Sequence, residues 1–254
     1  MSIPSDELFA YVVRGGRPIQ GRLIPGGNTP AALPRRAASL LAEGPVELAN
    51  VPQIRDVAMM IELLAELGAK VEETAPSAWT IDASAAGPKP VPAHLACEIR
   101  ASFLLAGPLV ARHGRAELPR PGGDRIGRRP LDSHIHALQA LGAEVEVGPD
   151  RYVLTAPRGL KGADIFLHEM SVMATENTVM AASLATGTTI IRNAASEPHV
   201  QELCRLINAM GGSVKGSGTN TLEVTGSPSL GGASAKIGPD PVEVGSFVGL
   251  AAVT

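Results

Sequence analysis

A unit of about 70 residues recurs along this chain, and nothing else in the sequence limits the possible folds so strongly. Its copies are marked by Gly44-Pro-Val-Glu-Leu with Leu67-Gly-Ala-Lys-Val, by Gly114-Arg-Ala-Glu-Leu with Leu141-Gly-Ala-Glu-Val, and by Gly187-Thr-Thr-Ile-Ile with Met210-Gly-Gly-Ser-Val. A fixed period this long means one supersecondary unit used repeatedly. Each copy predicts a short strand (46–48, 116–118, 189–191) and then an amphipathic helix (56–67, 131–141, 200–210) with apolar residues at spacings of three and four. Gly68, Gly142 and Gly211 fall where a left-handed residue closes a helix. A strand pair follows around 79–81, 152–154 and 222–224. A second helix completes the cycle, with starts at Ile99, Asn177 and Ala31.

The cycle runs past three copies. Residues 11–13 begin the first and 222–225 begin a fourth, whose second helix, 243–253, matches 98–110 and 176–184. A glycine and a strand are due next, but the sequence stops at Thr254, so the expectation is a piece of a longer molecule.

Composition narrows the class. A chain of 254 residues with 44% apolar content can bury one or two cores, and with 3% aromatics those cores must be aliphatic. A net charge of −3 without a basic run argues against a nucleic-acid partner. Cys97 and Cys204, outside any CxxC or His/Cys cluster, point to a reducing compartment and no structural zinc. No cofactor is expected. Residues 1–14 lack a signal-peptide core and no segment approaches 18 uninterrupted apolar residues, so a cytoplasmic protein without membrane contact is expected.

Candidate chemistry concentrates in residues 118–129, LPRPGGDRIGRR. Asp124 sits at the tip of a Gly/Pro-rich loop, followed by Arg125, Arg128 and Arg129. One acid among cations, on backbone that glycine frees, suits an enzyme handling an anionic substrate. A plain turn with a solvated charge run is the alternative. His134 and His136, two apart on a helix, cannot share a face and read as structural.

With the repeats in place, the chain resembles the enolpyruvyl transferases, and among them those that use UDP-N-acetylglucosamine as acceptor. The resemblance rests on Ala31-Ala-Leu-Pro34, Arg100-Ala-Ser102 with Gly107-Pro-Leu-Val-Ala-Arg112, Pro121-Gly-Gly123, Ile126-Gly127 and Arg129-Pro130 with Asp132. It continues through Ser171-Val172, Ala174-Thr-Glu-Asn177, Gly187-Thr-Thr-Ile-Ile191 and Asn193-Ala-Ala195 with Glu197-Pro198. It implies an α/β fold of βαβαββ units around a pseudo-threefold axis, an inside-out α/β barrel, with one complete domain at 22–232. Residues 1–21 and 233–254 would be parts of a second domain, in a full chain of about 420 residues.

The implied reaction moves the enolpyruvyl group of phosphoenolpyruvate onto the sugar 3-hydroxyl and releases phosphate, in peptidoglycan synthesis. By the resemblance, Asp124 takes the loop position that is cysteine in most members and aspartate in some, as general acid. An aspartate there implies resistance to fosfomycin, which alkylates the cysteine. Arg129 matches an arginine that meets phosphate and sugar nucleotide, and Arg100 another substrate-binding arginine. Pro130, Leu131, Asp132 and Ser133 match the segment contacting the nucleotide, with Asp132 also a helix cap. Glu169, Met170, Ser171 and Val172 match the loop on the uridine side.

The family's Lys-Asn pair, which binds phosphoenolpyruvate and sugar, falls on Thr29 and Pro30; Thr29 supplies no charge and Pro30 no backbone donor. Arg35 and Arg36 are the nearby candidates to replace that lysine. Three readings stay open: a carboxyvinyltransferase using UDP-N-acetylglucosamine, a paralogue with another nucleotide acceptor, and a degenerate paralogue that binds sugar nucleotide without turnover.

Overall fold

The computed structural model describes residues 10–16, 18–123, 127 and 129–254. Strands β1 (Val46–Ala49), β2 (Lys70–Ala75) and β3 (Ala78–Asp82) form one antiparallel group, and β4 (Arg115–Pro119), β5 (Glu144–Val147) and β6 (Arg151–Thr155) a second. Next come β7 (Asp164–Phe166), β8 (Thr188–Arg192), β9 (Ser213–Lys215), β10 (Thr221–Thr225) and β11 (Ala233–Lys236). The orders β1-β3-β2, β4-β6-β5 and β8-β10-β9 repeat one plan, with the last strand of each group in its middle. β7 adds to β8 in parallel, and β11 adds to β1 in parallel with Val46 opposite Ala233. The end of the third repeat thus completes the sheet of the first, and the expected boundary at 232 falls just before that strand.

The middle sheet stays at three strands for a reason visible in the sequence. Beside β4, where a parallel strand belongs, run Pro88, Pro90 and Pro92, none of which has an N–H. Among the described residues, Val91 N–H bonds across to the Glu117 carbonyl at 2.9 Å. In the other two sheets a left-handed asparagine locks the parallel pair. Asn50 (φ 57°) donates from Nδ2 to the Ile237 carbonyl at 3.0 Å, and Asn193 (φ 57°) donates to the Leu167 carbonyl at 2.9 Å.

The helices are α1 (Thr29–Ala38), α2 (Arg55–Glu66), α3 (Ala93–Ala96), α4 (Ala106–His113), α5 (Asp132–Ala140), α6 (Val172–Ala182), α7 (Pro198–Ala209) and α8 (Pro241–Val253). α2, α5 and α7 are the amphipathic helices of the three repeats, and all three stop in the same way. Gly68, Gly142 and Gly211 have φ of +102°, +96° and +94°. Their N–H groups bond to Ala65, Gln139 and Asn208, and the following N–H groups bond to Leu64, Leu138 and Ile207, which is a Schellman closure each time. A Cβ at Gly142 would touch nothing within 4 Å, so Gly142→Ala isolates the backbone strain. It is expected to destabilise the fold by about 1–2 kcal/mol in chemical denaturation, and an unchanged midpoint would refute the closure.

The second helices lie inside. Residues 31 to 38 of α1 and 174 to 182 of α6 are all buried, charged and polar side chains among them, so these helices are core on every side. The 3-10 segment Arg100–Leu105 packs on α1 and α4 packs on the turn after α1, so these two inner segments run parallel. Gly107 N–H, in the first turn of α4, donates to Asn177 Oδ1 in the middle of α6 at 2.8 Å, and Arg112 Nη1, in the last turn of α4, donates to the Leu40 carbonyl just past the end of α1 at 2.6 Å. Arg112 also donates to the carbonyls of Ala83 and Ser84. It places a cation where carbonyls gather at a helix terminus.

Several expected boundaries move. Asn177 does not start a helix. Ser171 caps α6 by accepting from Ala174 N at 3.3 Å, and Asn177 is buried in mid-helix, its Nδ2 donating to the Phe103 carbonyl at 2.8 Å. The helix expected over 98–110 splits into a 3-10 segment, Arg100–Leu105, and α4, because Pro108 cannot donate to the turn before it. Residues 11–13 form no strand and are fully exposed. The helix expected at 243–253 is present as α8, and it buries no residue although its sequence is as apolar as that of α6.

One buried acid sits in this core. Glu176 is 1% exposed, its Oε1 has no hydrogen-bond partner among the described residues, and burial followed by the nearby Glu197 pushes its carboxyl well above the usual range. A raised folded-state pKa means the stability contribution is complete below the unfolded pKa of about 4.3 and is lost as pH rises through the folded value. Glu176→Gln is therefore expected to flatten that loss, leaving the variant more stable than wild type at pH 8 and level with it near pH 4. Parallel pH profiles of the two denaturation midpoints would contradict this.

Candidate active site

The loop bearing Asp124 starts from a close backbone contact. A Cβ on Gly122 would overlap the Cys97 carbonyl, and one on Gly123 (φ +89°) would come 2.9 Å from Arg100 N. Gly122 N–H donates to the Ala96 carbonyl at 3.4 Å, and Cys97 Sγ lies 3.4 Å from the Arg120 carbonyl. The two glycines are required because the loop base lies flat on the turn between α3 and the 3-10 segment. Asp124 itself, with Arg125, Ile126 and Arg128, lies outside the described residues.

Arg100 joins this base to the next segment. Its half-buried guanidinium donates to the Arg129 carbonyl and, at 3.5 Å, to the Pro130 carbonyl. Burial, then the nearby Arg129 charge, lowers its pKa. Two guanidiniums held near one another in a partly desolvated place favour an anion between or beside them. Arg129 and Pro130 are exposed.

Beyond them the chain enters α5. Leu131 and Ser133 are buried while Asp132 is exposed, so of these three the acid faces solvent. Asp132 makes no capping hydrogen bond, contrary to expectation. It stands in the first turn, after Leu131, where its charge still suits the helix N-terminus. His134 is in the core, edge-on to Phe103 at 5.2 Å and 3.0 Å from Asn177 Nδ2. Burial, then the Arg100 charge, pushes its pKa down to about 3, so it is neutral. His136 stacks on His168 with ring centroids 4.3 Å apart, tying α5 to residues 168–172. There Glu169 and Met170 are exposed, while Ser171 and Val172 are half-buried at the start of α6.

Thr29 and Pro30 open α1, capped by Asn28 Oδ1, which accepts from Ala31 N at 2.8 Å. The expectation that Arg35 or Arg36 replaces the missing lysine fails. Arg35 pairs with Glu202 at 2.5 Å, with its side chain 3% exposed. Arg36 is fully buried, donates to the Val57 carbonyl and lies over the Trp79 ring at 5.6 Å, and burial pushes its pKa down to about 10. Both face away from solvent because α1 is a core helix, a fact its sequence-local charge does not reveal.

Thr29–Pro30, Arg100 and Ser171–Val172 therefore stand at the starts of the three inner helical segments, at equivalent places in the three repeats. Backbone N–H groups and aligned dipoles at such ends favour anions. A fold of three repeated units with helices inside, sheets outside and Arg100 at one of the inner helix starts defines an inside-out α/β barrel with a place suited to an anion.

The sequence model described as EPSP synthase (3-phosphoshikimate 1-carboxyvinyltransferase) matches residues 13–254, and the chain belongs to this family. A UDP-N-acetylglucosamine 1-carboxyvinyltransferase from Treponema denticola is 50% identical over 97% of this chain and 58% of its own length. One from Bradyrhizobium diazoefficiens is 51% identical over 96% and 56%. Among solved structures, the enolpyruvyl transferase NikO from Streptomyces tendae aligns with a TM-score of 0.79 at 23% identity, over 92% of this chain and 55% of its own. The chain thus spans somewhat more than half the length of these relatives.

Proposed function

We propose that the protein transfers the enolpyruvyl group of phosphoenolpyruvate to the 3-hydroxyl of UDP-N-acetylglucosamine, releasing phosphate, at the first committed step of peptidoglycan synthesis. Identity of 50% along nearly the whole chain to a relative bearing that name carries the reading. In this reading Arg129 meets the phosphate and sugar nucleotide, and Arg100 is a second substrate-binding arginine. Pro130 to Ser133 and Glu169 to Val172 contact the nucleotide, and Asp124 protonates the methylene carbon as the sugar oxygen adds to its neighbour. The substrates are small molecules, and the compartment is the cytoplasm; no helix among the described residues is long and apolar enough to cross a membrane.

The division into a complete domain at 22–232 and part of a second belongs to the same proposal. The exposed apolar residues Tyr11, Val12, Val242, Val248 and Val253 support it, since these lie outside that range. Asp124→Asn is expected to lower kcat by about 10²–10⁴ while leaving the nucleotide Kd from calorimetry nearly unchanged. Retained turnover would remove Asp124 from its role.

Thr29-Pro30 favours a second reading, a different nucleotide acceptor. Phosphate release measured over a panel of nucleotides separates the two: turnover confined to another acceptor would overturn the first.

A further inference from the structure

Between β11 and α8 the backbone is held at five successive polar groups. Arg35 Nη1 donates to the Lys236 carbonyl at 2.9 Å, and Ile237 N–H donates to the Ala49 carbonyl at 2.9 Å. The Ile237 carbonyl accepts from Asn50 Nδ2 at 3.0 Å, Gly238 N–H donates to Glu202 Oε2 at 3.3 Å, and the Gly238 carbonyl accepts from Asn28 N–H at 2.9 Å. Glu202 lies so close that a Cβ on Gly238 would overlap Oε1. Its Oε2 is also the partner of Arg35, at 2.5 Å. One ion pair, reaching from α1 and α7, therefore grips the chain on both sides of the fully buried Ile237.

What this grip positions is legible from the partner strand. Asp240 N–H donates to the Gly26 carbonyl at 2.9 Å, Asn28 Nδ2 donates to Asp240 Oδ2 at 3.2 Å, and Gly26 N–H donates to Glu243 Oε2 at 2.5 Å. Residues 26–28 and 238–240 thus cross as a pair, and the first of them delivers Asn28, the cap of α1, directly before Thr29. A buried ion pair is weak evidence for stability, because apolar residues of similar size often serve as well. A clamp that fixes a crossing is a better account of a charge placed at this point.

We propose that Arg35 and Glu202 are positioning residues that set the 26–28/236–240 crossing and, through Asn28, the start of α1. The clamp itself is independent of the proposed reaction; its effect on turnover rests on that reading. The test uses the full-length protein carrying Glu202→Gln and, separately, Arg35→Met with Glu202→Leu, the latter keeping the site filled. Amide hydrogen exchange is expected to quicken about tenfold or more at Gly238 and Asn28 in both variants, with Val179 and Leu206 in the core unchanged. In the wild-type background of a working enzyme, kcat is expected to fall more than KM rises. Unchanged exchange at Gly238 and Asn28, or a uniform rise across the core, overturns the clamp. Absence of turnover in wild type overturns the reaction and leaves the exchange result to decide the clamp.

Discussion

Gly122→Ala is expected to lower kcat/KM for the proposed transfer about a hundredfold, the scale of loss from misplacing reacting groups by an ångström. The new Cβ would overlap the Cys97 carbonyl, a backbone atom that cannot rotate aside as a side-chain tip can. The loop base must then lift from the turn after α3, and with it the segment that carries Asp124. Global stability is expected to fall by about 1–3 kcal/mol, the usual range for overpacking. Nucleotide affinity is expected to fall less than turnover does. Steady-state kinetics and chemical denaturation on the one variant check both effects, and wild-type kcat/KM would show that the loop does not depend on this contact.

Arg100→Met is expected to be more damaging, with kcat/KM lower by about 10²–10³, as for loss of a donor aimed at developing charge. Arg100 does two things at once: it brings a cation to the helix start and it holds the carbonyls of Arg129 and Pro130. Methionine keeps the buried stem and loses both. Arg100→Lys keeps the charge but not the planar fork that reaches two carbonyls, so it should recover little of the loss. Full rescue by lysine would mean that charge alone matters and that the link to Arg129–Pro130 is incidental.

The features readable from sequence were those set by local backbone chemistry. The glycine after each amphipathic helix announced itself because a Schellman closure needs a left-handed residue there. The strands 46–48, 116–118 and 189–191 sit inside β1, β4 and β8, since alternation and period are local properties. What stayed hidden depends on which face the fold turns inward. Arg35 and Arg36 look like site cations in sequence, and only the burial of α1 shows them spent on Glu202, Lys236 and Val57.

Asn177 reads as a helix start in sequence, and only the approach of the 3-10 segment and α4 explains its amide bonds to Phe103 and Gly107. The repeated asparagines at 50 and 193, about two units apart, were a signal that could have located the two parallel strand pairs. Likewise Pro88, Pro90 and Pro92 foretell the missing strand beside β4. The link from α5 to residues 168–172 through His136 and His168 had no local sign, because the two rings come from different elements.

The central claim is the transfer reaction, and the most direct measurement is product analysis with the full-length protein. Incubated with phosphoenolpyruvate and UDP-N-acetylglucosamine, it should yield enolpyruvyl-UDP-N-acetylglucosamine by mass spectrometry with one phosphate released per nucleotide modified. Unmodified nucleotide after many equivalents of enzyme-hours, with the protein folded and the nucleotide bound, would contradict the account.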